Sequence, residues 1–324
     1  MPRPPLRNES VPPELAGALD RAVRGLFGVS WGQARAWIER GKVRVDAQAV
    51  TVPTARVTAG QRIEVDERGA RPRAAGAGRG ELGDDQIVHV DAHVVVVDKP
   101  SGVSTIPYEE GETDTLDARV RAWLERRNKS AGGHGKHGGR GGRPALGIVH
   151  RLDKETSGLV VFTRTWLAKQ SLSNQFRHHT VERRYLAIAH GDVRSRTVRT
   201  FLVEDRGDGR RGSARGTHPE KASGAREAIT HVERIEPLHG ATLVACRLET
   251  GRTHQIRIHL SECGHPIVGE RVYVRGFAGT LLEAPRLMLH AAELGFEHPA
   301  TQHPVRWESA PPADVQAVLT RLRA

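Results

Sequence analysis

Apolar residues recur at helical spacing early in the chain and at strand spacing after it. Leu19, Val23, Leu26 and Phe27 share one helical face, and Ala34, Trp37 and Ile38 repeat the pattern after a break at Gly28. Gly41 stands where the second helix should end. Val43 and Val45 then alternate with Lys42 and Arg44, Asp46-Ala47-Gln48 supplies a turn, and Val50 and Val52 return. A last short strand alternates Arg62 and Glu64 with Ile63 and Val65. Residues 16–66 therefore read as one unit of two helices and a small sheet. Residues 1–15, Pro-rich and polar, read as disordered. Residues 67–86, rich in Gly, Ala and Arg without periodicity, have the composition of a flexible basic linker.

A second domain is expected over residues 87–324. Val88 and Val90 alternate, Asp91-Ala92-His93 can turn, and Val94 to Val97 forms a buried strand. Helices are expected around Leu116, Val120, Trp123 and Leu124, around Ala168, Leu172 and Phe176, and at Val315 to Leu322. Strands are expected at 181–189, which carries Tyr185, at 228–232 and at 241–248, with short ones from Leu287. Low-complexity basic loops interrupt at 128–143 and 205–226. Two dense polar blocks stand out, GIVHRLDKETSGLVVF at 147–162 and ETGRTHQIRIHL at 249–260. The first looks like a strand that surfaces, exposes a few charged groups and returns to the core, which is where chemistry is often carried. Spacing alone fits a solvated surface turn equally well.

Composition narrows the partner. The 324 residues carry a formal charge of +11, which speaks to partners rather than fold and favours nucleic acid. An acidic membrane surface would call for a basic amphipathic helix or a lipid anchor, and neither is present. Cys246 and Cys263 are too few for a disulfide framework, and no four-ligand zinc pattern surrounds them. His134 and His137 lack Cys or carboxylate companions, so no metal site is expected. The opening MPRPPLRNES has no apolar leader segment, and a cytoplasmic protein is expected.

The polar blocks lie about a hundred residues apart, each flanked by apolar sequence, and are expected to converge. The first offers one carboxylate, Asp153; the second offers Arg252, His254, Arg257 and His259. A buried carboxylate needs a cation, and arginine can give it two parallel hydrogen bonds. Tyr185 is the only tyrosine between the blocks. No G-x-S-x-G elbow, Walker A pattern or dinucleotide fingerprint occurs. A lone Asp in basic surroundings fits chemistry on a sugar or base held in a polyanion.

HRLDKETSG at 150–158 resembles the signature of the ribosomal large subunit pseudouridine synthase A-type family, which isomerises uridine to pseudouridine in RNA. VVVVDKPSGV at 94–103 is similar to that family's first motif, 183–187 to its Tyr-bearing strand, and LETGRTHQIRIHL at 248–260 to its last motif. LMLHAAELGFEHP at 287–299 matches its C-terminal strands. The combination of HRLDxxTSG with GRTHQIRxHL is highly specific, and the resemblance spans nearly all of 87–324. It implies an α+β fold with a mixed, mainly antiparallel central sheet, a catalytic cleft across it, and neither metal nor cofactor. It places the catalytic Asp at Asp153, the active-site Tyr at Tyr185, and the Arg that pairs with the carboxylate at Arg257. Arg151 falls where the family has an arginine associated with RNA binding and base displacement, and Arg252 is also expected on the RNA. Two positions depart from the pattern: Arg183 fills a slot usually held by Lys, and Glu270 replaces the usual Asp. Residues 16–66 resemble an alpha-L RNA-binding domain, a small N-terminal α/β module with Arg35, Arg40, Lys42 and Arg44 as RNA contacts, although its usual Asn-Gly hairpin turn is missing.

The resemblance implies breakage of the N1–C1′ bond, rotation of the uracil and rejoining through C5. The target must first leave its stack, at a cost of a few kcal/mol. Asp153 would then either attack C1′ or take the 2′ proton, while Tyr185 packs on the base. Ribosomal RNA is the favoured partner, transfer RNA the alternative, and the enzyme is expected to be a monomer. The competing reading is a catalytically idle RNA-binding or ribosome-assembly protein on the same fold.

Overall fold

Alternating valines and isoleucines form strands where their two faces differ, and the computed structural model shows this at β-strands Val43–Val45 and Arg62–Val65. It describes residues 7–39, 42–50, 53–66, 80–108, 112–130, 146–207 and 209–324. The chain divides into two compact units, Met1–Gly78 with Gly207–Gly209, and Arg79–Arg206 with Arg210–Ala324.

The first unit runs β1 (Arg7–Ser10), β2 (Gly17–Ala18), α1 (Leu19–Phe27), α2 (Trp31–Glu39), β3 (Val43–Val45), β4 (Gln48–Ala49), β5 (Arg56–Val57) and β6 (Arg62–Val65). Leu19, Val23, Ala34, Ile38, Val43, Ile63 and Val65 make its core, so the helical and strand periodicities point inward as expected. Gly28 caps α1 in the left-handed region at φ 65°, its N–H bonding to Arg24 O. Between β3 and β4 the turn residues Asp46 and Ala47 both have positive φ, 48° and 67°. A two-residue turn between twisted strands requires this, and Asn-Gly would adopt it more easily. Asp46 helps by accepting hydrogen bonds from Arg62 N and Gln61 Nε2.

One expectation for this unit needs correction. Residues 1–15 are not wholly outside the fold: β1 pairs antiparallel with β6, from Arg7↔Val65 to Ser10↔Arg62. All four β1 side chains are exposed, so the strand is held by its backbone and leaves no apolar alternation to read. The positions of Gly41 and Val52 lie outside the described residues.

The second unit starts earlier than expected. Leu82 is buried and Trp123 Nε1 donates to Asp84 at 2.6 Å, so residues 80–86 belong to the fold rather than to a linker; residues 67–79 lie outside the described residues. From there run β7 (Ile87–Val90), β8 (Val94–Lys99), α3 (Leu116–Ser130), β9 (Gly147–Ile148), β10 (Ser157–Thr163), α4 (Trp166–Arg177), β11 (Glu182–His190) and β12 (Arg196–Val203). Then come β13 (Gly212–Ser213), β14 (Arg226–Leu238), β15 (Ala241–Leu248), α5 (Gln255–Glu262), β16 (Leu289–Glu297), β17 (Pro304–Glu308) and α6 (Ala313–Arg323). Eleven strands form one sheet in the order β13-β12-β14-β15-β11-β16-β10-β8-β7, with β17 added to β16 and β9 to β10. Only β10–β16 is parallel among the described residues, so the sheet is mixed and mainly antiparallel.

Both faces of its middle are covered. Val95, Val97, Val160 and Phe162 enter one core, while Val94, Val96, Leu159 and Val161 enter another with Ala168 and Leu172 of α4. That explains the unbroken apolar run at Val94 to Val97. The second polar block, which the sequence left without an assigned element, contains a helix. QIRIHL alternates like a strand but forms helix α5, with every residue from Gln255 to Leu260 buried. A short helix buried on all sides shows no amphipathic period. No helix among the described residues is long and apolar enough to cross a membrane.

Candidate active site

The two polar blocks do converge. They line a cleft of about 570 Å³, with Arg151 and Asp153 on one side, Arg252, His254 and Arg257 on the other, and Tyr185 among the lining residues. Asp153 stands on the loop between β9 and β10, and that loop is braced by the segment following β8. Lys99, fully buried, donates from Nζ to Pro100 O at 3.0 Å, Val103 O at 2.8 Å and Lys154 O at 3.1 Å. Ser101 Oγ donates to Glu155 O at 2.7 Å and Gly102 N to Lys154 O at 2.8 Å. Thr105 brackets Leu152, its hydroxyl donating to Leu152 O at 2.9 Å and accepting from Leu152 N at 3.1 Å. The DKPSGVST stretch thus fixes the backbone on both sides of Asp153. Lys99 is held by carbonyls alone, and burial pushes its ammonium down to about 7, opposed by the charge of Asp153.

Beyond the loop, β10 runs parallel to β16, with Gly158 opposite Ala291. Gly158 has φ 112°, and a side-chain carbon there would lie 2.2 Å from Ala291 O. Only glycine fits both the conformation and the approach.

Arg257 forms an ion pair with Asp153, but its two-bond fork goes elsewhere. Its Nε and Nη2 donate to Glu270 Oε2 and Oε1, at 2.7 Å each, in a buried bidentate pair. Only Nη1 faces Asp153, 3.9 Å from Oδ2. Glu270 also accepts from the backbone N–H groups of Arg271, Val272 and Tyr273, so a turn aims the carboxylate that aims the arginine. Although burial opposes ionisation of Glu270, these bonds hold its carboxyl below the usual range. The sequence marked Glu270 as a departure, with no sign that it takes the fork meant for Asp153.

Tyr185 sits on β11 between Cys246 of β15 and Ala291 of β16, just after a register shift at Arg184/Tyr185. Its ring is largely buried, and its hydroxyl makes no hydrogen bond among the described residues. Burial pushes that hydroxyl up, with Arg183 opposing. Arg183 lies 5.5 Å over the Phe176 ring and donates to Glu249 O at 2.9 Å. His150 stacks on the other part of this wall, 4.7 Å from Phe176, and its Nε2 accepts from Val161 N at 3.0 Å. Burial, then Arg183, pushes His150 down to about 3, so it is a neutral structural acceptor. His259 is likewise structural, bonded through both ring nitrogens to Thr230 and Thr200 at 2.9 Å.

At the rim, Arg151 is exposed and reaches Thr253 Oγ1 at 3.3 Å, joining the two blocks. Arg252 is half-buried, with Nε on Glu227 O at 3.0 Å. In the first unit, Arg35 is committed to buried Asp20 at 2.9 Å, Lys42 is half-buried and Arg44 is exposed. Arg40 lies outside the described residues, as do His134 and His137. Among the described residues no three His, Cys, Asp or Glu side chains gather as a metal site.

The family model described as RNA pseudouridylate synthase matches residues 93–262. A Nitrosomonas europaea protein named ribosomal large subunit pseudouridine synthase D is 34% identical, over 97% of this chain and 87% of that relative. A Zymomonas mobilis protein of the same name is 37% identical, over 73% of this chain and 72% of that relative. The solved structure of human RNA pseudouridylate synthase domain containing 4 is 23% identical and superposes with a TM-score of 0.56, covering 74% of this chain and 93% of its own. That last likeness bears on the fold alone. The identity to the bacterial proteins, carried in the Nitrosomonas relative over nearly the whole length, makes this chain a member of the RNA pseudouridylate synthase family, enzymes that convert uridine in RNA to pseudouridine.

Proposed function

We propose that this enzyme isomerises uridines of ribosomal RNA and that Asp153 is the carboxylate that does so. The observation that carries the assignment is the asymmetric placement of Asp153. Arg257 and His254 both approach Oδ2, at 3.9 and 3.8 Å, and Oδ1 has no hydrogen bond or ion pair among the described residues. One oxygen faces these two side chains and the other is left for a nucleotide. In this reading Tyr185 packs against the flipped base, Arg257 orients the carboxylate, and Arg151 enters the space that the base vacates, where a planar guanidinium can stack. The ribosomal address is supported by the names of the bacterial relatives.

Release of tritium from 5-tritiated uridine in RNA tests the site. Wild type releases label from ribosomal RNA, and Asp153→Asn releases none. Normal release by that variant would remove Asp153 from the role, and release from transfer RNA alone would move the address.

The first unit is proposed as an alpha-L-type RNA-binding module using Lys42 and Arg44. Its support is the pair of helices followed by strands β3 to β6 and the exposure of Arg44 on β3. Neutralising both side chains should lower the log–log salt slope of RNA binding by about 0.7 for each single-strand phosphate that is no longer neutralised. An unchanged slope excludes both residues from the RNA.

A further inference from the structure

Beside Asp153, His254 is held in a costly backbone conformation. It precedes α5 with φ 59° and ψ 18°, the left-handed region that Gly and Asn occupy more readily. The bonds from Gln255 N to Arg252 O, 3.1 Å, and from Ile258 N to His254 O, 2.9 Å, keep it there. The result is an imidazole with one nitrogen hydrogen-bonded and the other facing a carboxylate. Nδ1 lies 2.7 Å from Tyr273 Oη, and Nε2 lies 3.8 Å from Asp153 Oδ2.

The two neighbours decide the tautomer. A carboxylate oxygen attracts an N–H and repels a bare ring nitrogen, so Asp153 favours a proton on the nitrogen that faces it. Tyr273 can donate, so the nitrogen facing it can be bare. Tyr273 is itself fixed by Arg257, whose guanidinium carbon lies 5.3 Å over its ring. The charged and titratable groups around His254 are Asp153, Arg257, Glu270, Arg211 and Tyr273. Burial dominates them and pushes the imidazole down to about 4, so at neutral pH it adds no second cation beside Arg257.

We propose that His254 is a positioning residue for the reaction: Tyr273 donates to Nδ1, the ring proton sits on Nε2, and that neutral donor steadies Oδ2 of Asp153 while Oδ1 meets the nucleotide. The proposal rests on Asp153 being the reacting carboxylate. A neutral donor orients the carboxylate without quenching its charge as another cation would, and this gives the strained backbone at His254 a purpose.

Two measurements test it on the full chain. With ¹⁵N-labelled histidine, two-bond ¹H–¹⁵N correlations should show Nε2–H for His254 in wild type and a mixture of tautomers in Tyr273→Phe. A proton on Nδ1 in wild type overturns the proposal. In single-turnover assays, His254→Asn suits the left-handed backbone but cannot reach Oδ2, and the rate of label release should fall about tenfold to a hundredfold with RNA affinity unchanged. His254→Gln, whose Nε2 can stand in for the ring N–H, should recover most of that loss. Wild-type rates in His254→Asn, or a Gln variant no faster than the Asn variant, overturn it. Asp153→Asn run alongside separates the two readings. If it is inactive while His254→Asn is normal, only this inference fails; if it is active, the catalytic assignment fails and takes this inference with it.

Discussion

Arg257 grips Glu270 with two hydrogen bonds of 2.7 Å and presents its remaining nitrogen to Asp153 from 3.9 Å. The pair is buried, and Glu270 accepts three further backbone N–H groups. Breaking a buried pair from one side leaves an uncompensated charge, which costs about 3–5 kcal/mol. Glu270→Gln should therefore lower stability in urea denaturation by about that amount. It should also lower label release, because Arg257 loses the partner that aims it. Glu270→Asp keeps the charge with a shorter reach and should fall between the two. A Gln variant as stable as wild type would show that the pair contributes little.

Gly158 is the second position where a single atom decides. It is the point at which the loop of Asp153 joins the parallel pairing to β16. Alanine there adds strain at φ 112° and an approach of 2.2 Å to backbone oxygen, which cannot turn aside as a side chain could. Gly158→Ala should cost about 3–5 kcal/mol, a backbone clash added to an unfavourable φ. Thermal and chemical denaturation would both register it. A change below about 1 kcal/mol would mean that β10 and β16 separate easily.

The grouping of the two polar blocks was legible before the fold was known through their resemblance to family motifs, since spacing alone left the first block as a possible surface turn. Asp153, Arg151 and Thr156 to Gly158 form one short segment whose residue types are set by a braced loop and a close strand contact. The convergence of the second block could be anticipated because it interrupts apolar sequence. What stayed hidden depends on contacts between distant segments. The partner of Arg257 is Glu270, on a turn, where neither periodicity nor charge pattern shows its direction. Helix α5 went unassigned because burial of Gln255 to Leu260 erases its period. Strand β1 stayed unseen because its exposed side chains carry no apolar signal. The role of Lys99 is invisible for a related reason: a lysine ending a valine run reads as a strand leaving the core, yet it is fully buried.

Asp91 gives an acid-side prediction. It lies in the turn between β7 and β8, accepting from His93 N and Val94 N, and its Oδ2 meets His89 and His298. Burial works against the charge, but the two backbone bonds and two histidines outweigh it and bring the carboxyl down to about 2. A lowered carboxyl binds its proton less readily when folded. Its contribution is complete above about pH 4 and is lost as the pH falls through about 2. Since Asp91 is partly solvated, the amount is discounted for screening to about 1 kcal/mol. Asp91→Asn should flatten the acid limb of stability against pH by that much and leave the curve's shape above about pH 5 unchanged. Parallel acid limbs for the two proteins would show that the turn does not depend on the charge.

Lys99 makes the opposite case on the alkaline side. Burial lowers its ammonium to about 7, with Asp153 opposing the shift. The unfolded chain therefore holds this proton over a window, about pH 7 to 10, in which the folded chain has released it. Where the unfolded state binds more protons, stability rises with pH, so Lys99 should add stability across that window. Lys99→Met removes the titration and leaves the carbonyls of Pro100, Val103 and Lys154 without this donor. Lys154 O keeps its bond from Gly102 N, but Pro100 O and Val103 O lose this one, at about 1–3 kcal/mol each, so the loss outweighs the relief of a buried charge. The variant should be less stable at pH 7, and its deficit against wild type should widen towards pH 10. Label release should fall as well, because the Lys154 carbonyl next to Asp153 loses this tether. A deficit that stays constant with pH would show that Lys99 keeps its proton throughout, and unimpaired label release would show that the remaining bonds from Ser101, Gly102 and Thr105 suffice to place Asp153.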